Sequence, residues 1–288
     1  MVRPLLILHA KRPPLLSVII PAHNEEAWIG PCLENLLADP APPGGAEVVV
    51  AANGCKDKTV TRAQVFEERA RAQGWGFVLL DLPGLGKPAA LNSGDAAASG
   101  EMRLYLDADV KTGRGVIAGI VRALDTTEPR YASARPVVAR AQSAVTRAYA
   151  SFWKDLPFTK SPAPGFGLFA VNAAGRARWG EYPKLISDDT YVRLLFTPEE
   201  RVEVPGTYEW PMVEGFDALV RVRRRQDAGV KEIAALHPEL LANEGKPPLG
   251  KGELLGMALR NPVGFATYAA VSLAVRGKAS DGTWSRGR

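Results

Sequence analysis

Sulfur and imidazole are scarce in this chain: its 288 residues include two cysteines, Cys32 and Cys55, and three histidines, His9, His23 and His237. Two cysteines are too few for a disulfide framework, so a reducing compartment is expected and both thiols read as small buried hydrophobes. The histidines stand far apart with no ligand spacing, which argues against a zinc site. No stretch of about 20 uncharged apolar residues occurs, so a membrane-spanning helix is not expected. The N-terminal run Pro4 to Ala10 is apolar but short, leads into Lys11-Arg12-Pro13-Pro14 and lacks a small-residue cleavage site. It is not read as a signal peptide, and a cytoplasmic protein is expected.

Excess charge is also small, +5 overall, and all of it lies in the tail: residues 1–215 carry 24 Lys+Arg and 24 Asp+Glu, residues 216–288 carry 12 and 7. A neutral body argues against a nucleic-acid binder. A basic, partly apolar tail points to anionic phosphates or an anionic membrane surface, with an ordinary solvated basic face as an equal alternative.

With 46% hydrophobic residues, the chain can bury one large domain or a domain plus an appendage. Leu16 to Pro21 is a continuous apolar run, the pattern of a parallel strand covered on both faces, and Glu25 to Leu37 follows with helical spacing. The cycle repeats: Glu47 to Ala52 reads as strand, Thr59 to Gln73 as helix, Phe77 to Leu82 as strand, Lys87 to Ala98 as helix and Met102 to Leu106 as strand. Such alternation predicts right-handed crossovers, a mostly parallel sheet and function at the carboxyl ends of its strands. Further on, Arg130 to Val138 and Gly165 to Val171 read as strands and Arg140 to Trp153 as a helix. The proline-rich Leu156 to Pro164 reads as a surface connection, and a linker-like break falls at Glu214-Gly215.

Candidate functional residues stand at the strand ends. The first strand runs into Pro21-Ala22-His23-Asn24-Glu25-Glu26, where His23 can serve a base or simply a turn. The second ends at Asn53-Gly54, followed by Asp57, which can cap the next helix or accept hydrogen bonds from a base or ribose. The third leads into Gly84-Leu85-Gly86-Lys87, glycines and a lysine opening a helix, a setting that favours phosphate oxygens. Neither GxxxxGK[ST] nor a GxGxxG after the first strand is present, which counts against kinase-like and dinucleotide enzymes. The fourth strand closes on Asp107-Ala108-Asp109. Two hard carboxylates there suit a divalent cation that in turn holds phosphates, although such a triplet alone can merely cap a helix.

Taken in order, Ser17-Val18-Ile19-Ile20-Pro21 with Asn24-Glu25-Glu26, Asn53-Gly54 with Asp57, Gly86-Lys87 with Leu91-Asn92, and Asp107-Ala108-Asp109 resemble a family 2 glycosyltransferase of the GT-A fold over roughly residues 15–200. The resemblance implies an α/β GT-A fold, a mostly parallel Rossmann-like sheet flanked by helices; with the break at Glu214-Gly215, residues 1–215 are expected to form the catalytic domain and 216–288 a helical C-terminal extension. It implies a nucleotide-sugar donor, with Asp57 near the base and Lys87 near the diphosphate; Pro21, His23, Glu25 and Asn53 are the other candidate donor-binding residues of these turns. Asp107 would then lie near ribose or metal, and Asp109 on a Mg2+ or Mn2+ ion. It also implies a later acidic pair opening a helix, which Ser187-Asp188-Asp189-Thr190 supplies, with Asp189 at the position of the catalytic base. The more usual pair is Glu-Asp, so Asp188 is a departure. Cys55 and Lys58 replace a frequent serine and glycine, so UDP is preferred over GDP only because uridine is common among similar enzymes.

Arg221 to Gln226 loosely resembles the family's Q/R-x-x-R-W helix without its tryptophan; Arg224 or Arg225 would reach the diphosphate, or form a solvated basic face. Glu253 to Arg260 and Pro262 to Arg276 read as two apolar helical segments, the second bearing Phe265, Tyr268, Val271, Leu273 and Val275. That segment can lie on a lipid surface, or pack on the catalytic domain or a homodimer partner. The reading is therefore a metal-dependent, inverting transferase acting on a glycan, lipid or small-molecule hydroxyl. Its rivals are a retaining transferase of similar fold, a sugar-phosphate nucleotidyltransferase and a non-catalytic nucleotide-binding or membrane scaffold.

Overall fold

Alternate residues of the first strand, β1 (Leu16–Ala22), face different cores, which is why the run is apolar throughout. In the computed structural model, which describes residues 15–245 and 248–277, Leu16, Val18 and Ile20 pack with Ile29, Cys32, Leu33 and Leu36 of α1 (Ile29–Leu36). Ile19 faces the other way, onto Leu91. The chain continues through β2 (Ala46–Asn53), α2 (Thr59–Gln64), α3 (Glu67–Ala72), β3 (Trp75–Leu82), α4 (Lys87–Ala97), which carries Leu91, and β4 (Met102–Leu106). The helix expected over Thr59 to Gln73 is thus two helices. Phe66 turns its ring into the core between them, and its N–H bonds back to the Ala63 carbonyl at 3.1 Å. The apolar run Pro4 to Ala10, and His9 with it, lies outside the described residues.

The second half comprises β5 (Lys111–Thr112), α5 (Val116–Leu124), β6 (Tyr131–Val138), α6 (Ala144–Trp153), β7 (Leu168–Val171), α7 (Ala173–Arg176), α8 (Asp188–Leu194) and β8 (Arg201–Trp210). Together the strands form one sheet in the order β3-β2-β1-β4-β7-β6-β8-β5. It is parallel from β3 through β4, as the alternating pattern requires; β7 then runs antiparallel to both β4 and β6, and β8 parallel to β6. Strand β8 escapes a sequence reading because Pro205-Gly206 interrupts it, and its pairing with β6 shifts register between Ser133 and Arg135.

The Leu156 to Pro164 connection is not the solvated loop its prolines suggest. Leu156 and Ala163 are buried, and Phe158 packs edge-on against Trp153 with centroids 5.4 Å apart. The break at Glu214-Gly215 is likewise tied down: the Glu214 carboxylate accepts the N–H groups of Gln142 and Ser143 at 2.8 and 2.9 Å, and Gly215 N–H donates to Thr146 Oγ1 at 2.9 Å. Three helices follow, α9 (Phe216–Leu236), α10 (Lys251–Arg260) and α11 (Pro262–Arg276). They close a third core on α6, in which Tyr149, Phe152 and Trp153 meet Leu219, Val220, Met257 and Val271. No helix among the described residues is long and apolar enough to cross a membrane.

Candidate active site

Two turns at the carboxyl ends of β1 and β2 are stitched to one another. Asn24 adopts φ 52°, a left-handed conformation that asparagine tolerates, and its side-chain oxygen accepts the Lys56 N–H at 2.5 Å. Glu25 N–H donates to Thr59 Oγ1 at 2.7 Å, and Lys58 N–H to Glu26 Oε2 at 3.2 Å. The Asp57 carboxylate takes Thr59 N–H at 3.0 Å, Thr59 Oγ1 at 2.5 Å and Glu26 N–H at 3.2 Å. Of the two roles open to Asp57, the structure therefore displays the helix-opening one, while the residue still lines the cleft described below.

Asn53 carries the link onward to the lysine turn. Its amide nitrogen donates to the Gly86 carbonyl at 2.8 Å and its oxygen accepts Leu85 N–H at 3.1 Å. His23 Nδ1 donates to the Asn53 carbonyl at 2.6 Å; since a carbonyl only accepts, the proton sits on that nitrogen. Gly54, at φ 63°, passes so close to Gly84 that a Cβ would stand 2.5 Å from its Cα.

At the end of β4, Ala108 enters the core while Asp107 and Asp109 on either side of it line the cleft. Asp107 N–H donates to the Gly167 carbonyl at 2.8 Å. Gly167, at φ 67°, is closely packed: a Cβ would lie 2.9 Å from Val110 Cγ2 and 3.1 Å from Asp107 Oδ2.

Lys87, the first residue of α4, bridges two carboxylates from distant parts of the chain: Nζ lies 3.0 Å from Asp107 Oδ1 and 3.1 Å from Asp188 Oδ2. Burial alone would lower the lysine's pKa, but the charges of Asp107, Asp188 and Asp189 outweigh it and hold the ammonium protonated. Burial likewise pushes the Asp188 carboxyl up to about 6, against the pull of Lys87 and with a further push from Asp189 and Asp107. The resemblance implies a place near a diphosphate for this lysine; the structure shows it between two acids in the lining of the cleft.

Asp188 and Asp189 open α8, and Asp189 Oδ1 accepts Thr190 N–H at 2.7 Å. The approach to α8 is braced from α9, a contact without any sequence signal. Glu232 Oε2 accepts Ile186 N–H at 2.9 Å, and a Cβ on Gly229 would stand 2.2 Å from Ser187 Oγ.

One cleft of about 710 Å³ gathers these groups: Pro21, His23, Glu25, Asn53, Asp57, Lys87, Asp107, Asp109, Asp188, Asp189 and Arg225 all line it. Arg224 does not, and its assignment to the donor site is corrected: its guanidinium turns to the other side of α9 and donates to the Ala274 carbonyl at 3.1 Å, pinning α11. Beyond Asp189 the cleft has a wall that sequence reasoning missed. Trp153, Phe158, Phe166 and Trp210 touch in a closed circuit, with centroids 5.4 to 6.3 Å apart. They come from α6, two loops and the unread strand β8, so no local pattern joins them.

The donor set suits a hard divalent cation. Asp107 and Asp109 offer carboxylate oxygens, and no group of three or more His, Cys, Asp or Glu side chains among the described residues forms a complete cage. An ion held by two carboxylates would need phosphate oxygens and water to complete its shell, which is how Mg2+ is ordinarily held beside a nucleotide.

A sheet whose parallel half delivers its strand-end turns and an acidic strand end to one cleft, with an antiparallel strand beside it, is a GT-A-type glycosyltransferase fold. The chain belongs to glycosyl transferase family 2, whose sequence pattern matches residues 17–173. Among curated relatives, it is similar to validoxylamine A glucosyltransferase of Streptomyces hygroscopicus subsp. limoneus, 31% identical over 110 residues, which are 38% of this chain and 24% of that one. Against the probable glycosyltransferase YdaM of Bacillus subtilis it is 33% identical over 104 residues, 34% of this chain and 24% of the relative. The chain thus matches about a quarter of the length of either relative.

Solved structures share the fold over most of the chain. The mannosyltransferase PcManGT of Pyrobaculum calidifontis, in complex with GDP-Man and Mn2+, superposes with a TM-score of 0.59 at 22% identity, covering 93% of this chain and 76% of that one. S. aureus TarS 1-349 in complex with UDP gives 0.52 at 14% identity, covering 94% and 93%. The matched family region ends before Asp188 and Asp189, so the case for that pair rests on geometry.

Proposed function

We propose that this protein is a metal-dependent, inverting glycosyltransferase that moves a sugar from a nucleotide-diphosphate sugar, a UDP-sugar, to a hydroxyl of a glycan, lipid or small-molecule acceptor. The observation that carries the reading is the meeting of Asp107, Asp109, Lys87 and Asp189 around one cleft. The nucleoside would lie along Pro21, His23, Asn53 and Asp57, and the diphosphate toward Lys87 and Arg225. Asp107 and Asp109 would hold Mg2+ or Mn2+, which supplies positive charge to the diphosphate as it leaves. The solved neighbours in complex with GDP-Man and Mn2+ and with UDP support such a donor and ion.

Asp189 performs the proton transfer. Its carboxylate accepts the acceptor hydroxyl's proton as that oxygen bonds to the anomeric carbon; the bond to the diphosphate breaks on the opposite face, and the electron pair leaves with it. Glu232, through Ile186, keeps the start of α8 in place. We assign catalysis to residues 1–215 and a supporting role to the helical extension, 216–288. Both cysteines are free thiols, which suits a reducing, cytoplasmic setting.

A thermal-shift series with UDP and GDP, each with and without Mn2+, tests the donor reading, because a ligand that binds only the folded state raises its melting temperature. A metal-dependent rise with UDP is expected. No rise with either nucleotide would remove the UDP-sugar donor; a rise with GDP alone would change the base. The anomeric configuration of the product, read by NMR, distinguishes inversion from retention.

A further inference from the structure

The last two helices expose the wrong residues for a helix that is simply packed on a protein core. Phe265, Tyr268, Val271 and Val275 of α11 point inward onto α6 and α9, so of the two roles open to this face it takes the packed one. The opposite face is apolar as well. Val263, Ala266, Ala270 and Leu273 recur at helical spacing along the outside, with no charged residue among them, and Leu273 is 66% exposed. One turn apart on α10, Leu255 and Leu259 are 61% and 75% exposed. Along α11, the stripe from Val263 to Leu273 is about 15 Å long. Exposed apolar side chains gathered on two neighbouring helices mark a contact to be made.

We propose that the outer face of α10 and α11 docks on the surface of an anionic lipid bilayer. Charge selects this occupant. Lys251, Arg260 and Arg276, all exposed, stand at the ends of the two helices, against the single acid Glu253. Basic side chains that flank an apolar stripe can reach acidic headgroups while the stripe enters the acyl boundary. A second copy docked through the same face would bring like charges together. The helices lie on the membrane and do not cross it, consistent with their length. This inference is independent of the transfer chemistry, since none of the six apolar residues lines the cleft.

Flotation of the full-length protein with vesicles tests it, using phosphatidylcholine alone and phosphatidylcholine mixed with phosphatidylglycerol. The protein is expected to float with the mixed vesicles, and the double substitution Leu259→Glu with Leu273→Glu to reduce the bound fraction roughly ten-fold. Arg260→Gln with Arg276→Gln is expected to erase the preference for the mixed vesicles, as is high salt. Unchanged melting temperature verifies that each variant is folded; Leu259→Gln with Leu273→Gln replaces the glutamates should they unfold the chain. The proposal is overturned if the parent floats with neither vesicle, or if the folded leucine variants float as it does. It is also overturned if light scattering shows a dimer that those variants dissociate while vesicles leave the parent unbound.

Discussion

Lys87 and Asp188, from opposite halves of the chain, meet in an ion pair of 3.1 Å inside the cleft. The same ammonium holds Asp107 at 3.0 Å, so one lysine fixes the distance between the strand-end acid and the acids that open α8. Three carboxylates crowd this charge, and its removal leaves them facing one another. Lys87→Met is expected to lower unfolding stability by about 2–3 kcal/mol, below the range for fully buried pairs because lysine and Asp107 keep some solvent contact. Urea denaturation checks the size, and the variant should also bind nucleoside diphosphate more weakly.

Asp188 gives the pair a pH signature. Its folded-state pKa, about 6, lies above the ordinary 3.8, so the folded chain holds this proton more tightly than the unfolded one. The resulting stabilisation is complete below about pH 4 and fades as pH rises through about 6. Asp188→Asn abolishes this slope. Its stability relative to the parent should therefore increase between pH 4 and 7, by about 3 kcal/mol at most, as read by urea unfolding at each pH. A constant difference across that range would contradict the assignment.

Asp189→Asn separates binding from chemistry. Nucleotide affinity, measured by calorimetry with Mn2+, should remain close to that of the parent, while turnover falls by about 10²–10⁴-fold, the usual scale for losing a general base. Unchanged turnover would remove Asp189 from that role.

Asp109→Asn makes the complementary change. It should weaken nucleotide binding in the presence of Mn2+ and leave metal-free binding unaffected, so that the stabilising effect of the ion on the melting curve shrinks.

Gly54→Ala tests the stitched turns. The added methyl group meets the Gly84 backbone at 2.5 Å in a left-handed conformation, so the turn must open. A loss of more than about 1 kcal/mol in stability is expected, together with weaker nucleotide binding.

How much of this could be read from residues alone follows from how local each feature is. Strands β1 to β4 and their turns were legible because each is a short apolar run ended by a distinctive motif, and the parallel sheet brings those ends together. The split at Phe66 was hidden because an inward-turned aromatic keeps helical spacing on both sides of the break. Arg224 and Arg225 are neighbours on one helix, pointing about 100° apart, so composition cannot say which meets the cleft and which meets Ala274. Both faces of α11 are apolar, and only packing distinguishes the buried one from the open one. The aromatic wall was beyond reach, since its members share nothing in sequence.

The hydrogen bond from Ile186 to Glu232 has a practical consequence for anyone shortening this protein. A chain cut at residue 215 would retain every residue proposed for donor binding except Arg225, together with Asp189. It would nevertheless lose the strut beneath α8 and expose Tyr149, Phe152 and Trp153 to water. Inactivity of such a fragment would report a collapsed support, not a missing reactive group.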